Sequence, residues 1–252
     1  MAGSCFKKLC RIAGETCVRY RLINDGDRIM VGLSGGKDSF MLIHLLDHLR
    51  RHAPVKFSLV CATFDPGFEN FDLEKIAAYC QNNSWEHHSV KMDIPALLRE
   101  KSFENSPCVL CSRLRRGKLY GLANFLQCNK LALGQHLDDV INSFLMSLCR
   151  GQGLTSMAPL VKPHKAEYPA VIRPLALVPE ELICQAAAEF DFPRKTGVCR
   201  YEETVKNGDR AQFKKLVSQL AEKIPDLREN IAHSLTRVEI DHLLIPPSAE
   251  EP

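Results

Sequence analysis

The feature that most limits what this chain can become is a glycine loop set between a strand and a helix. Arg28 to Leu33 reads Arg-Ile-Met-Val-Gly-Leu, a short buried strand, and Ser34-Gly35-Gly36-Lys37-Asp38-Ser39 follows at once. Phe40 to Leu49 then carries apolar residues at one-turn spacing, the pattern of a helix. A loop in this setting offers unpaired backbone amides and the positive end of a helix dipole, which together hold an anion, phosphate above all. Gly35 and Gly36 allow close backbone approach, Lys37 adds a compact cation, and Ser34 and Ser39 can donate hydroxyl hydrogen bonds. The chain lacks the Gly-x-x-x-x-Gly-Lys-Ser/Thr loop of the common NTPases, so a different nucleotide loop is expected. A bare Gly-Gly pair would read as a turn with an N-capping serine; six such residues between strand and helix favour the phosphate.

The rest of the chain repeats the alternation. Strands are expected at Phe57 to Phe64, ended by the turn signal Asp65-Pro66-Gly67, at Trp85 to Val90, at Lys130 to Leu133 and at Ala170 to Arg173. Helices are expected at Asp72 to Gln81, Leu114 to Gln127, Asp138 to Cys149, Pro179 to Phe190, Asp209 to Glu222 and Leu227 to His242. This order predicts an α/β fold, a Rossmann-like parallel sheet with helices on both faces, followed by a helical C-terminal segment. Such sheets bind ligands beyond the carboxyl ends of their strands, where both Ser34-Gly35-Gly36 and Gly134-Gln135-His136 lie. The expected division is residues 1–200 as the nucleotide domain and 201–252 as the helical segment, ending in a mobile tail from Pro246.

Composition matters at three points. No run approaches the roughly 18 apolar residues of a membrane-spanning helix, and the first residues lack the apolar core of a secretion signal, so a cytoplasmic protein without a membrane partner is expected. The 11 cysteines are an odd number, which argues against a fully paired disulfide framework and turns attention to ligand spacing, at Cys108 and Cys111. The net charge of +3 is too small to signal nucleic-acid binding, so any basic surface must come from local clustering.

Cys108-Val109-Leu110-Cys111 follows Pro107 in an expected loop before a helix, at the spacing that lets two thiolates reach one metal or cluster. A redox pair or two small buried residues are the plainer readings, and a zinc site would draw on His136, His164, Cys184 or Cys199. The remaining cysteines, from Cys5 and Cys10 to Cys149, read as small buried residues or exposed thiols. Arg113, Arg115, Arg116 and Lys118 crowd beside the pair and Arg150 follows a helix; such a run is either a solvated face or a contact for RNA phosphates. Asp38, Asp138 and Asp139 sit where carboxylates cap helices, and for Asp138 capping is the preferred reading. His136 reads equally as a ligand-orienting or a structural residue.

Ser34-Gly35-Gly36-Lys37-Asp38-Ser39 resembles the signature of the PP-loop ATP pyrophosphatases, adenine nucleotide alpha hydrolase-like proteins that split ATP between its α and β phosphates and pass AMP to a substrate oxygen. Three further segments are similar to the tRNA 2-thiocytidine synthetases (TtcA) within that group: Pro107-Cys108-Val109-Leu110-Cys111-Ser112-Arg113-Leu114-Arg115-Arg116-Gly117, Gly134-Gln135-His136-Leu137-Asp138-Asp139, and Val171-Ile172-Arg173-Pro174-Leu175. The match spans Asp25 to Cys199.

The resemblance implies ATP on Ser34, Gly35, Gly36, Lys37, Asp38, Ser39, Gly134 and His136, with Lys37, Asp38 and Asp139 as catalytic residues and magnesium near the two carboxylates. It implies a 4Fe-4S cluster on Cys108, Cys111 and a later cysteine, here Cys199, with one iron open to carry sulfide. The family usually has a second cysteine pair after Phe-Pro; here Phe192-Pro193 leads to Cys199 alone. The implied reaction adenylates the carbonyl oxygen of an anticodon-loop cytidine, position 32, and replaces it with sulfur. The implied partners are tRNA and, since no rhodanese-like extension is visible, a separate cysteine desulfurase; a homodimer is compatible. The rival readings are a lysidine synthetase-like or other adenylating enzyme acting on another base or a small molecule, and a zinc-stabilised nucleotide-binding module without turnover.

Overall fold

In the computed structural model, the described residues are 3–68, 71–100, 107–163, 165, 167–193 and 208–244. The first strand, β1 (Arg28–Leu33), alternates its side chains between two apolar layers. Ile29, Val31 and Leu33 join one core; Met30 joins the other. It pairs in parallel with β2 (Ser58–Asp65) on one side and β4 (Lys130–Ala132) on the other, Val31 lying beside both Cys61 and Ala132. Beyond β2 lies β3 (His87–Lys91), and beyond β4 lies β6 (Ala170–Ile172), both parallel. With the short strand β5 (Leu160–Val161) beside β6, the sheet order is β3-β2-β1-β4-β6-β5. The chain leaves β1 toward one edge and returns to fill the other, which makes the carboxyl ends of β1 and β4 a topological switch point, the place where such sheets open a crevice.

The expected parallel sheet flanked by helices is present, with one addition at its edge. The sheet is mixed rather than parallel throughout, because β5 (Leu160–Val161) runs antiparallel to β6 at the edge. Two residues are too few to show a period in the sequence.

Helices cover both faces. On one face lie α1 (Ser4–Arg19), α2 (Lys37–His52), α3 (Leu73–Asn82) and α7 (Glu180–Ala187), which share a core with Ile29, Val31 and Ile172. On the other lie α4 (Ile94–Glu100) and α5 (Pro107–Phe125), with Ile94, Leu119 and Ala123 against Met30, Val60, Ala62 and Phe64. Asp72 accepts a bond from the Lys75 amide and so caps α3. Helix α1 was not among the expected elements, yet Phe6, Leu9, Cys10, Ala13 and Cys17 form its buried stripe, and burial pushes the Cys10 and Cys17 thiols up to about 12.

After α6 (Leu137–Cys149), helices α8 (Asp209–Ala221) and α9 (Leu227–Ser234) pack Val217, Ile231 and Ala232 against Leu137 and Ile141. The helix expected over Leu227 to His242 stops early, since Thr236 turns its amide and hydroxyl onto the His233 carbonyl; a single 3-10 turn follows at Ile240–His242. The helix expected from Pro179 to Phe190 is likewise shorter, with Pro179 as its N-cap. The expected mobile tail lies outside the described residues. No described helix is long and apolar enough to cross a membrane.

Packing also fixes one pH response. His44 sits among Phe190, Phe192, Tyr79 and Trp85, with Nε2 2.8 Å from the Tyr79 hydroxyl. Burial, reinforced by Arg51 and only partly opposed by Asp47, lowers its pKa from 6.5 to about 4. Unfolding frees this imidazole to bind a proton, so its contribution is full above pH 6.5 and drains as pH falls toward 4. The urea midpoint is expected to drop between pH 7 and pH 5 by the equivalent of roughly 2 kcal/mol at most. Equilibrium unfolding of His44→Phe checks this: the variant should lose much of that slope, and an unchanged slope would assign it to other groups.

Candidate active site

The glycine loop is built before any ligand arrives. Gly35 takes φ of +76°, open to glycine at little cost, and Gly36 caps α2 in extended geometry. Ser39 Oγ donates to the Gly36 carbonyl at 2.8 Å and accepts from the Ser34 amide at 3.2 Å; Ser34 Oγ lies 3.3 Å from it and 3.4 Å from the Gly36 amide. The two serines therefore fold the loop as well as lining it. At the start of the 16-residue helix α2 the Ser39 amide already donates to the Gly36 carbonyl at 3.1 Å, which leaves the Lys37 and Asp38 amides as the first-turn donors for an anion.

Gly134 lies two residues beyond the neighbouring strand β4. A Cβ built there would lie 3.0 Å from the Asp38 carbonyl oxygen and 3.1 Å from its carbon, so any larger residue would press the start of α2 away by a few tenths of an ångström. The turn beyond it is held by Arg173, whose Nε donates to Gln135 Oε1 at 3.0 Å and whose other nitrogen donates to the Ala158 carbonyl at 2.7 Å. Two of the segments singled out in the sequence are thus joined directly.

His136 is buried between the carboxylates of α6. Its amide donates to Asp139 Oδ2 at 3.2 Å, Nε2 lies 3.5 Å from the same oxygen, and Nδ1 lies 3.8 Å from Asp138 Oδ2 without a hydrogen bond among the described residues. Asp138 does cap a helix, but not its own: Oδ2 accepts the Glu180 amide at 2.8 Å, at the start of α7, and Oδ1 accepts Arg228 Nε at 2.8 Å. Asp139 uses Oδ2 for the His136 amide and so completes the capping box at the start of α6.

Lys37 meets a partner that sequence reasoning missed. Nζ lies 2.9 Å from Asp38 Oδ1 and 3.3 Å from Glu180 Oε1. Burial alone would lower the lysine's pKa, but Asp38, Cys184 and Glu180 together raise it, so the ammonium is held charged. Glu180 is pushed up by burial, yet Lys214, Lys37 and His136 outweigh that and hold it below the ordinary carboxylate value. In the sequence Glu180 is just an acid in a first helical turn.

The cysteine pair is not in a loop. Cys108 and Cys111 lie in the first turn of α5, which begins at Pro107, a residue pre-set for the first helical position. Their three-residue separation puts both on one face. Cys108 is exposed; Cys111 is half-buried and accepts from Arg115 at 3.7 Å, whose guanidinium also lies 5.7 Å over the Phe64 ring at the carboxyl end of β2. Arg113, Arg116 and Lys118 are exposed on the same helix. Two thiols next to cations suit a soft metal or an iron-sulfur group. No cluster of three or more metal-binding side chains occurs among the described residues, and Cys199 and His164 lie outside them. Cys10, Cys17, Cys61, Cys80 and Cys128 are buried in the cores.

The chain is similar to several known proteins. A family model described as a PP-loop domain matches residues 9–192. The tRNA-cytidine(32) 2-sulfurtransferase of Geobacter sulfurreducens is 40% identical over 240 residues, covering 95% of this chain and 93% of the relative. That of Syntrophotalea carbinolica is 38% identical over 240 residues, covering 95% and 92%. Among solved structures, the U34-tRNA thiolase NcsA from Methanococcus maripaludis, with its 4Fe-4S cluster, shares the fold at a TM-score of 0.75 over 95% of this chain and 80% of that one, at 22% identity.

Proposed function

This chain belongs to the PP-loop domain family and, within it, to the tRNA-cytidine(32) 2-sulfurtransferases, and on that premise we propose how its residues carry out ATP-dependent 2-thiolation of a tRNA cytidine. The observation that carries the reading is the near full-length match to those relatives. ATP enters the crevice between β1 and β4. Its phosphates take the amides of Gly35, Gly36 and the first turn of α2, the hydroxyls of Ser34 and Ser39, and the ammonium of Lys37. Asp38 and Asp139 would hold magnesium, which would offset phosphate charge, and Gly134 and His136 line the nucleotide's other side.

The cytidine O2 attacks the α phosphorus, pyrophosphate departs, and the oxygen becomes part of an adenylate leaving group. Sulfide then attacks C2 and AMP leaves with the original oxygen. Cys108, Cys111 and Cys199 would hold a 4Fe-4S cluster, which would supply the sulfide; the exposed and half-buried thiols on one face of α5 are donors of the required kind. Arg113, Arg115, Arg116 and Lys118 beside the pair meet RNA phosphates, and Arg150 extends that surface. The sulfur donor is a cysteine desulfurase, the setting is the cytoplasm, and a homodimer fits the reading. Residues 1–200 form the activating body and 201–252 its helical segment.

Digestion of tRNA to nucleosides after incubation with the anaerobically purified chain, ATP, magnesium and sulfide tests this. The expected product is 2-thiocytidine, formed with one pyrophosphate per sulfur. Pyrophosphate release without a thiolated nucleoside would instead indicate another adenylated acceptor.

A further inference from the structure

Glu180 stands between two lysines from distant parts of the chain. Oε1 is 3.3 Å from Lys37 Nζ, and Oε2 accepts from Lys214 Nζ at 2.6 Å. Lys37 belongs to the glycine loop, Glu180 opens α7, and Lys214 comes from α8 in the C-terminal segment. Asp138 fixes this geometry by holding the Glu180 amide with one oxygen and Arg228 of α9 with the other, each at 2.8 Å. Each of the two C-terminal helices thus sends one cation to a carboxylate beside the loop. Apolar contact of Val217 and Ile231 with Leu137 and Ile141 seats both helices there.

A carboxylate this close to the loop lysine is a problem for a polyphosphate site. It competes for the ammonium that the phosphates need, and it adds negative charge where more must arrive. Glu180 keeps 24% of its side chain exposed and Lys37 35%, so solvent screens the repulsion only in part. A second cation on Glu180 removes both difficulties, and Lys214 is placed to be that cation.

We propose that Lys214 is a positioning residue of the nucleotide site, holding Glu180 as its counter-ion so that Lys37 is free to turn to the phosphates when ATP binds. This rests on the reading that ATP occupies Ser34 to Ser39. It makes the C-terminal segment part of the ATP site rather than an appendage: without Lys214, Glu180 keeps Lys37.

Calorimetric titration with a non-hydrolysable ATP analogue plus magnesium, together with steady-state kinetics and thermal melting, tests it on the full chain. Lys214→Met is expected to weaken the analogue roughly tenfold and to raise the KM for ATP while kcat changes little. Lys214→Arg should bind as the native chain does. In the background of Glu180→Gln the same Lys214→Met change should cost less than about twofold, because the charge it compensates is gone. Melting should hardly move, since the Lys214 side chain is 56% exposed. Native-like binding by Lys214→Met, or an equal loss with and without Glu180, would overturn the proposal. A native chain that binds no analogue would overturn the reading of the loop itself, and the proposal with it.

Discussion

Replacing Gly134 with alanine is expected to slow pyrophosphate release about 100-fold in a chain that still folds. The added methyl carbon would meet backbone on the far side, the Asp38 carbonyl at 3.0 and 3.1 Å and the Ser39 amide at 3.3 Å. Backbone cannot swing aside as a long side chain can, so the start of α2 must move away from β4 by a few tenths of an ångström or more. That shift carries Lys37 and Asp38 off line from whatever Asp139 and His136 contact. Reactions of this kind gain most of their rate from position and preorganised charge, which makes a small displacement costly. Single-turnover pyrophosphate release, paired with thermal melting, checks the result. Gly117→Ala is the control, because its new methyl meets nothing within 4 Å on α5 and should leave both quantities near native or slightly raise stability. If Gly134→Ala released pyrophosphate at the native rate, the contact between the two loops would have no catalytic meaning.

That contact also marks how far the sequence could be read. The loop from Ser34 to Ser39 was legible because strand, glycines and helix follow each other without a gap, and Gly134 because it follows the next apolar strand in the same way. Both depend only on local order. Helix α1 was also written in the spacing of Phe6, Leu9, Cys10, Ala13 and Cys17, but cysteine serves there as a small apolar residue, and that hides the stripe. The position of Cys108 and Cys111 on a helix was signalled by Pro107, whose ring suits a first helical residue as well as a loop. What local order could not show is the ring of charge behind the loop. Glu180 and Lys214 are 34 residues apart, and Asp138 and Arg228 are 90 apart. No period links such pairs; only the docking of α8 and α9 on α6 does. The same docking explains why Asp138 and Asp139, adjacent and chemically alike, differ in their partners: one carboxylate holds the Glu180 amide and Arg228, while the other accepts the His136 amide.

If Cys108 holds the proposed cluster, Cys108→Ala is expected to lower 2-thiocytidine formation roughly 1000-fold or more, because a lost ligand takes the bound group with it, while pyrophosphate release stays within about threefold of native. The separation follows from where the thiol sits. Cys108 is exposed near the start of α5, outside both cores, whereas the glycine loop lies at the carboxyl end of β1 with Gly134 packed against Asp38 and Ser39. Loss of an exposed side chain at that place should change stability by less than about 0.5 kcal/mol. Cys80→Ala offers the opposite case: Cys80 is fully buried, so its replacement should cost stability and leave the bound iron and sulfide per folded chain unchanged. Iron, sulfide and zinc analysis of the three anaerobic proteins, with both assays run on each, distinguishes the roles. Cys108→Ala that keeps its iron and still thiolates would remove the pair from sulfur transfer. Loss of thiolation and pyrophosphate release together would mean that α5 also shapes the ATP site, in which case adenylation and sulfur delivery share one rigid frame.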